Sequence, residues 1–153
     1  MNKYIYLMTG FLMLSAAATA GECVGGTWIT ANSLTNNPNG NCTAATCNGA
    51  TFCKSNGTMN WWSAFTWCAS NGLTLAKFQD MCPGIPTSSN SADGTCPNLQ
   101  GTGSGWGWSE MGTSSNGKAT VALAVNLSDG SVTAASRDYG YYGTGAGVYA
   151  FCK

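Results

Sequence analysis

The chain predicts a small α+β domain pinned by disulfides, and three observations predict it. All eight cysteines lie between residues 23 and 152. Asn60 to Asn71 carries apolar residues at helical spacing. Residues 119 to 135 alternate large apolar side chains with small or polar ones and contain an Asp-Gly turn.

Residues 1–20 read as a targeting segment outside the fold. Lys3 supplies the positive start, Leu7 to Ala17 is predominantly apolar but too short to span a bilayer, and Ala18-Thr19-Ala20 is a small-x-small cleavage signature. Cleavage near Ala20 predicts an exported chain, secreted, extracellular or periplasmic. Glu22 stands where a lipidation motif at Cys23 needs a small residue. Residues 21–153 then form one domain, with 21–52 an irregular, disulfide-tied N-terminal extension that includes a short strand over Gly26 to Thr30.

Charge is sparse and balanced, six basic against six acidic residues. With no basic patch to neutralise phosphates, nucleic acid is excluded as a partner. No second long apolar run or polybasic segment supports membrane insertion once the targeting segment is gone. An even number of cysteines in an exported chain reads as four disulfides. The spacings Cys42-x4-Cys47 and Cys47-x5-Cys53 are loosely zinc-like, but the chain has no histidine and its expected compartment is oxidising. No metal and no cofactor are expected.

In the helix, Trp61, Ala64, Phe65 and Cys68 form one apolar stripe at i, i+3, i+4 and i+7. Asn60 is placed to cap its start and Gly72 to end it in the left-handed conformation. Trp62 and Trp67 point off that stripe, either widening the buried face or covering a flanking loop. Gln79 to Cys82 suggests one helical turn stopped by Pro83. Residues 83–105 look like loop, with Cys82 and Cys96 at its ends and able to close it. In 119–135, Asp129-Gly130 predicts a two-residue hairpin turn, which sets Leu127 opposite Val132 and Val125 opposite Ala134. Gly147 to Lys153 is a last short strand.

Without histidine, Ser-His-Asp and Cys-His catalysis are excluded, and oxidised cysteines leave no thiol nucleophile. Glu110 and Asp138 are the one carboxylate pair to weigh for a glycosidase, and two solvated surface acids is the stronger reading. The best binding candidate is "SRDYGYYGTGAG", Ser136 to Gly147. Tyr139, Tyr141 and Tyr142 are interleaved with glycine and follow Arg137-Asp138, a mixture that paratopes use because tyrosine offers a flat amphipathic surface at low entropic cost. The competing reading is that two of the tyrosines pack against Trp106 or Trp108 as satellite core; these tryptophans are spaced to share one strand face, and at least one of them is expected in the core. Asn41, Asn56 and Asn126 head glycosylation sequons, as expected by chance in an Asn-rich chain.

Four stretches resemble C-type lectin-like domains. "WWSAFTWCASNGLTLAKF" resembles that family's first helix, "GVYAFCK" its closing strand, "FCKSNGTMNWWSAFTWC" its opening hairpin, and "GWGWSE" its central tryptophan-containing strand. The resemblance covers about Cys42 to Lys153. It implies one main helix and a short second helix packed on small antiparallel sheets, with the N- and C-terminal strands paired. It implies a Cys68–Cys152 bridge and an N-terminal hairpin bridge Cys42–Cys53, which would leave Cys23–Cys47 and Cys82–Cys96. Cys23–Cys42 with Cys47–Cys53 stays open as an alternative. The family's calcium triplets, Glu-Pro-Asn or Gln-Pro-Asp and Trp-Asn-Asp, are missing, and only ten residues separate Trp108 from Ala119. The chain therefore resembles a compact form without the long calcium-binding loop.

The expected function is a non-enzymatic, exported or surface-displayed binding module. It would take a glycan or a cell-surface protein without calcium, through Trp106, Trp108, Arg137, Asp138, Tyr139, Tyr141 and Tyr142. A structural subunit of an extracellular appendage or matrix, self-associating as a homo-oligomer, is the alternative, and a small hydrolase is a distant third.

Overall fold

Asn60 opens the main helix by accepting a hydrogen bond from the Ser63 amide at 2.8 Å, which satisfies one of the orphan donors of the first turn. The computed structural model describes residues 21–33, 49–85, 95–115, 118–138 and 147–153. Helix α1 spans Trp61–Ser70. At its end the Leu73 amide donates to Cys68 and the Gly72 amide to Ala69, both at 3.0 Å, with Gly72 at φ 68°. That is a Schellman cap, and it needs a residue free to take positive φ. A second helix of one turn, α2, spans Phe78–Met81.

Among the described residues six strands form one sheet: β1 (Gly26–Thr30), β2 (Thr51–Thr58), β3 (Trp106–Ser115), β4 (Lys118–Asn126), β5 (Val132–Ser136) and β6 (Val148–Cys152). Their spatial order is β1-β2-β6-β3-β4-β5. All neighbours are antiparallel except β3 and β6, which run parallel. The small antiparallel sheets expected from the resemblance are thus one mixed sheet. The closing strand sits inside it, paired with β2, while β1 lies one strand further out at the edge. Residues 74–76 line the end of β6: Thr74 and Lys153 exchange amide–carbonyl bonds of 3.0 and 2.9 Å, and the Ala76 amide donates to Phe151. β2 and β6 fall out of register between Lys54 and Thr58. Buried Ser55 repairs that gap, its hydroxyl accepting from the Ala150 amide at 3.0 Å and donating to the Gly57 carbonyl at 2.7 Å.

Both faces of the central strands are buried, so the sheet is the middle of three layers. One face carries Phe52, Leu123, Val125 and Phe151 against Phe78, Met81, Ile85, Cys96 and Leu99; the Phe52 and Phe151 rings stack at 4.9 Å. The other carries Ala122, Ala124, Ala135, Val148 and Ala150 under Trp61, Ala64 and Cys68 of α1. The alternation in β4 therefore sorts large from small. Leucine and valine meet the thin α2 layer, while alanines make room for a full helix and the indole of Trp108. Phe65, read as part of the helix's apolar stripe, is 39% exposed. Its ring rests edge-on against Trp61, with centroids 4.5 Å apart.

The β4–β5 turn differs from the expected two-residue hairpin. Val125 faces Val132 and Leu123 faces Ala134, a shift of two that keeps every side chain on its expected face. Pairing closes where the Asn126 amide donates to Ser131 at 2.8 Å, leaving Leu127 to Gly130 as the loop. Leu127 is drawn into the core, its amide donating to Gly105 at 2.9 Å. Gly130, at φ 74°, lies so close to Cys96 that a Cβ would come within 2.6 Å of the Cys96 carbonyl oxygen. Burying a leucine and seating the Cys96 segment outweigh the tighter turn.

Three disulfides join described residues: Cys23–Cys53, Cys68–Cys152 and Cys82–Cys96. Cys53 is taken by Cys23, which corrects the expected Cys42–Cys53 and Cys23–Cys47 bridges and also the Cys23–Cys42 with Cys47–Cys53 alternative. Cys42 and Cys47 lie outside the described residues, as do residues 1–20, read above as a targeting segment. The reason is a docking contact far off in sequence. Asn71 at the end of α1 accepts from the Val24 amide at 2.6 Å through its side chain and from the Glu22 amide at 3.0 Å through its carbonyl. Trp67 packs over Gly26, so the N-terminal segment is carried past β2. Three disulfides suggest an oxidising compartment. Among the described residues no helix is long and apolar enough to cross a membrane.

The closed loops differ in length, 84 residues for Cys68–Cys152 against 14 for Cys82–Cys96. Loop-closure entropy assigns about 4–5 kcal/mol to the first and about 3 kcal/mol to the second. Replacing Cys68 and Cys152 together by Ala should lower the unfolding free energy in urea by more than replacing Cys82 and Cys96. The reverse order would mean that loop length does not set the contribution.

Candidate functional site

Adjacent tryptophans on α1 have opposite fates. Trp61 is buried and donates its indole N–H to the Ser109 carbonyl at 2.8 Å. Trp62, one hundred degrees round the helix, is 53% exposed, and its ring meets Trp61 edge-on with centroids 4.8 Å apart.

The end of β5 holds both rings. Arg137 accepts the Trp61 backbone N–H at its carbonyl, 2.9 Å away, and donates from Nε to the Val121 carbonyl at 3.1 Å. Its guanidinium lies 4.2 Å from the Trp61 ring centre and 5.5 Å from that of Trp62, within cation–π range of both. Partial burial pulls the Arg137 pKa down and the Asp138 carboxylate opposes that shift; a guanidinium stays charged regardless. Asp138 accepts the Trp62 indole N–H at 3.2 Å. One edge and the plane of the Trp62 ring are therefore fixed, while half its surface stays open.

That open surface belongs to a groove of about 580 Å³ lined by Met59, Trp62, Ser63, Thr66, Trp67 and Ser70. The five helical residues fall at i, i+1, i+4, i+5 and i+8, one face of α1 directed away from the sheet. None of the lining residues is charged. The Ser70 hydroxyl donates to the Trp67 carbonyl at 2.8 Å and the Thr66 hydroxyl to the Trp62 carbonyl at 3.5 Å.

The residues singled out from sequence separate. Trp108 is fully buried, its indole N–H bonded to the Met59 carbonyl at 2.8 Å, which corrects its assignment to a ligand surface. Trp106 is half-buried against the same cluster. Arg137 and Asp138 come together on the tryptophans of α1, a neighbourhood not foreseen for them. Tyr139, Tyr141 and Tyr142 lie outside the described residues. Glu110 and Asp138 are both exposed; the Glu110 backbone N–H donates to Ala76 at 2.8 Å, and the Asp138 carboxylate is engaged by Trp62. Among the described residues no group of three or more His, Cys, Asp and Glu is placed to hold a metal ion. The groove was missed in the sequence, although a signal was there. An indole at Trp62 and three hydroxyl residues share the helix stripe that faces away from Ala64 and Cys68.

No known protein family, curated protein or solved structure matches this chain.

The two indoles should respond differently to truncation. Trp108→Ala removes a buried ring and should cost about 3–5 kcal/mol. Trp62→Ala removes a half-exposed one and should cost about 1 kcal/mol. Urea unfolding of the two variants checks this, and equal losses would make Trp62 a core residue.

Proposed function

We propose that the chain is an exported, C-type lectin-like binding module that takes a glycan or protein ligand without calcium and catalyses no reaction. The observation that carries this reading is the half-exposed Trp62 indole, held in place by Arg137 and Asp138. In the sequence those two residues lead directly into the Tyr/Gly-rich segment that carries Tyr139, Tyr141 and Tyr142. Flat aromatic groups that are ordered before the ligand arrives lose little entropy on binding. The absence of the family's calcium triplets supports a calcium-free mode.

Glycan and surface-protein arrays probed in the presence of EDTA should give at least one hit that is lost when Tyr139, Tyr141 and Tyr142 are all changed to Ala. Hits that need added calcium, or none at all, would overturn the reading.

A self-associating structural subunit is the second reading, and β1 favours it. This edge strand carries no charge, and its Trp28 is 48% exposed, so it lacks the charged residues that usually prevent edge-to-edge pairing. Light scattering would then show oligomers growing with protein concentration and abolished by Trp28→Lys. A monomer at every concentration would dispose of it.

A further inference from the structure

We infer that the groove on α1 is a subsite for a neutral pyranose sugar, laid with its C–H face on Trp62 and its hydroxyls toward Thr66 and Ser70. This rests on the binding-module reading and specifies its ligand class.

The chemistry of the groove selects that class. The Trp62 indole N–H is already bonded to Asp138, so the open part of the ring offers a π face and no donor. The negative face of an indole attracts groups with a positive edge, and the axial C–H bonds of a pyranose present such an edge. Around that floor stand hydroxyls. The Ser70 hydroxyl spends its hydrogen on the Trp67 carbonyl of its own helix at 2.8 Å, so its lone pairs remain to accept from a ligand O–H, and Thr66 places a second hydroxyl beside it. A sugar, with an apolar face and a girdle of O–H donors, satisfies both features at once.

Other ligand classes fit less well. The lining residues provide no countercharge for a phosphate, a sulfate or an acidic sugar. A peptide that binds by strand addition needs an open sheet edge, which a groove built on a helix does not offer. The groove of about 580 Å³ is shallow and open to solvent, so it suits a ring laid flat on the indole and would not enclose one. Rigidity favours a ring as well, since Arg137 and Asp138 hold the indole in position without a ligand.

The test uses the full exported domain and hexasaccharides of β-1,4-glucose, β-1,4-mannose, β-1,3-glucose and β-1,4-N-acetylglucosamine. Calorimetry gives affinity, and saturation-transfer NMR shows which sugar protons touch the protein. At least one oligosaccharide should bind, with saturation on its ring C–H protons. Trp62→Ala should weaken it by about tenfold or more, Trp62→Phe by less because an aromatic face remains, and Ser70→Ala by a few-fold. Circular dichroism of each variant keeps misfolding apart from lost contact. Wild-type protein binding none of the four, or binding that survives Trp62→Ala, overturns the subsite. In either case an array hit that depends on the tyrosines would leave the binding-module reading standing, so the two fail separately.

Discussion

The bridge between Cys68 and Cys152 is the constraint on which the rest of the structure depends. It joins the last turn of α1 to the penultimate residue of the chain, and that residue ends the strand inserted between β2 and β3. A strand in that position completes the sheet, because without β6 the β1–β2 pair and the β3–β4–β5 unit share no ladder. Its pairing with β3 is parallel and covers only Trp106 with Val148 and Gly107 with Tyr149, a weak seam taken alone. The disulfide holds the seam closed from above. Cys53 is the sheet neighbour of Cys152, so the Cys23–Cys53 bridge reaches the same place and brings the N-terminal segment with it. The domain leans on covalent links and burial, with little from charge. The ion pair found among the described residues, Lys153 with Asp80 at 3.6 Å, is solvent-accessible and contributes little.

Packing under α1 explains why its outer face can serve as a platform. Alanines on β4, β5 and β6 let the helix approach, and Trp61 and Trp108 fill the remaining volume. Each buried indole N–H finds a backbone carbonyl, on Ser109 and Met59 respectively, so the fit carries no unpaired donor. The Trp61 bond to Ser109 ties the helix itself to β3 and fixes its rotation. Trp62 is thereby aimed outward, and the residues that hold its ring come from the end of β5, 76 positions further along the chain. The same packing that builds the core therefore prepares the surface.

By itself the sequence determined the features that depend on local physics. The bounds of α1 followed from Asn60 and Gly72, since caps act within a few residues. The mixed α and β character followed from periodicity, and the large-small alternation of β4 followed from the pleat. Export and an oxidising compartment were readable as expectations from the apolar start and the cysteine count.

Tertiary structure alone decided everything that turns on contacts between distant residues. Cys23 reaches Cys53 because Asn71 captures Val24. Leu127 leaves the hairpin because the core and Gly105 have a place for it. Trp108 and Trp62 look alike in sequence, yet one is sealed under a helix and the other lies open beside Arg137. Periodicity tells which side chains share a face, but whether that face meets a neighbour or solvent depends on where the rest of the chain is, and that is fixed by the total free energy of packing.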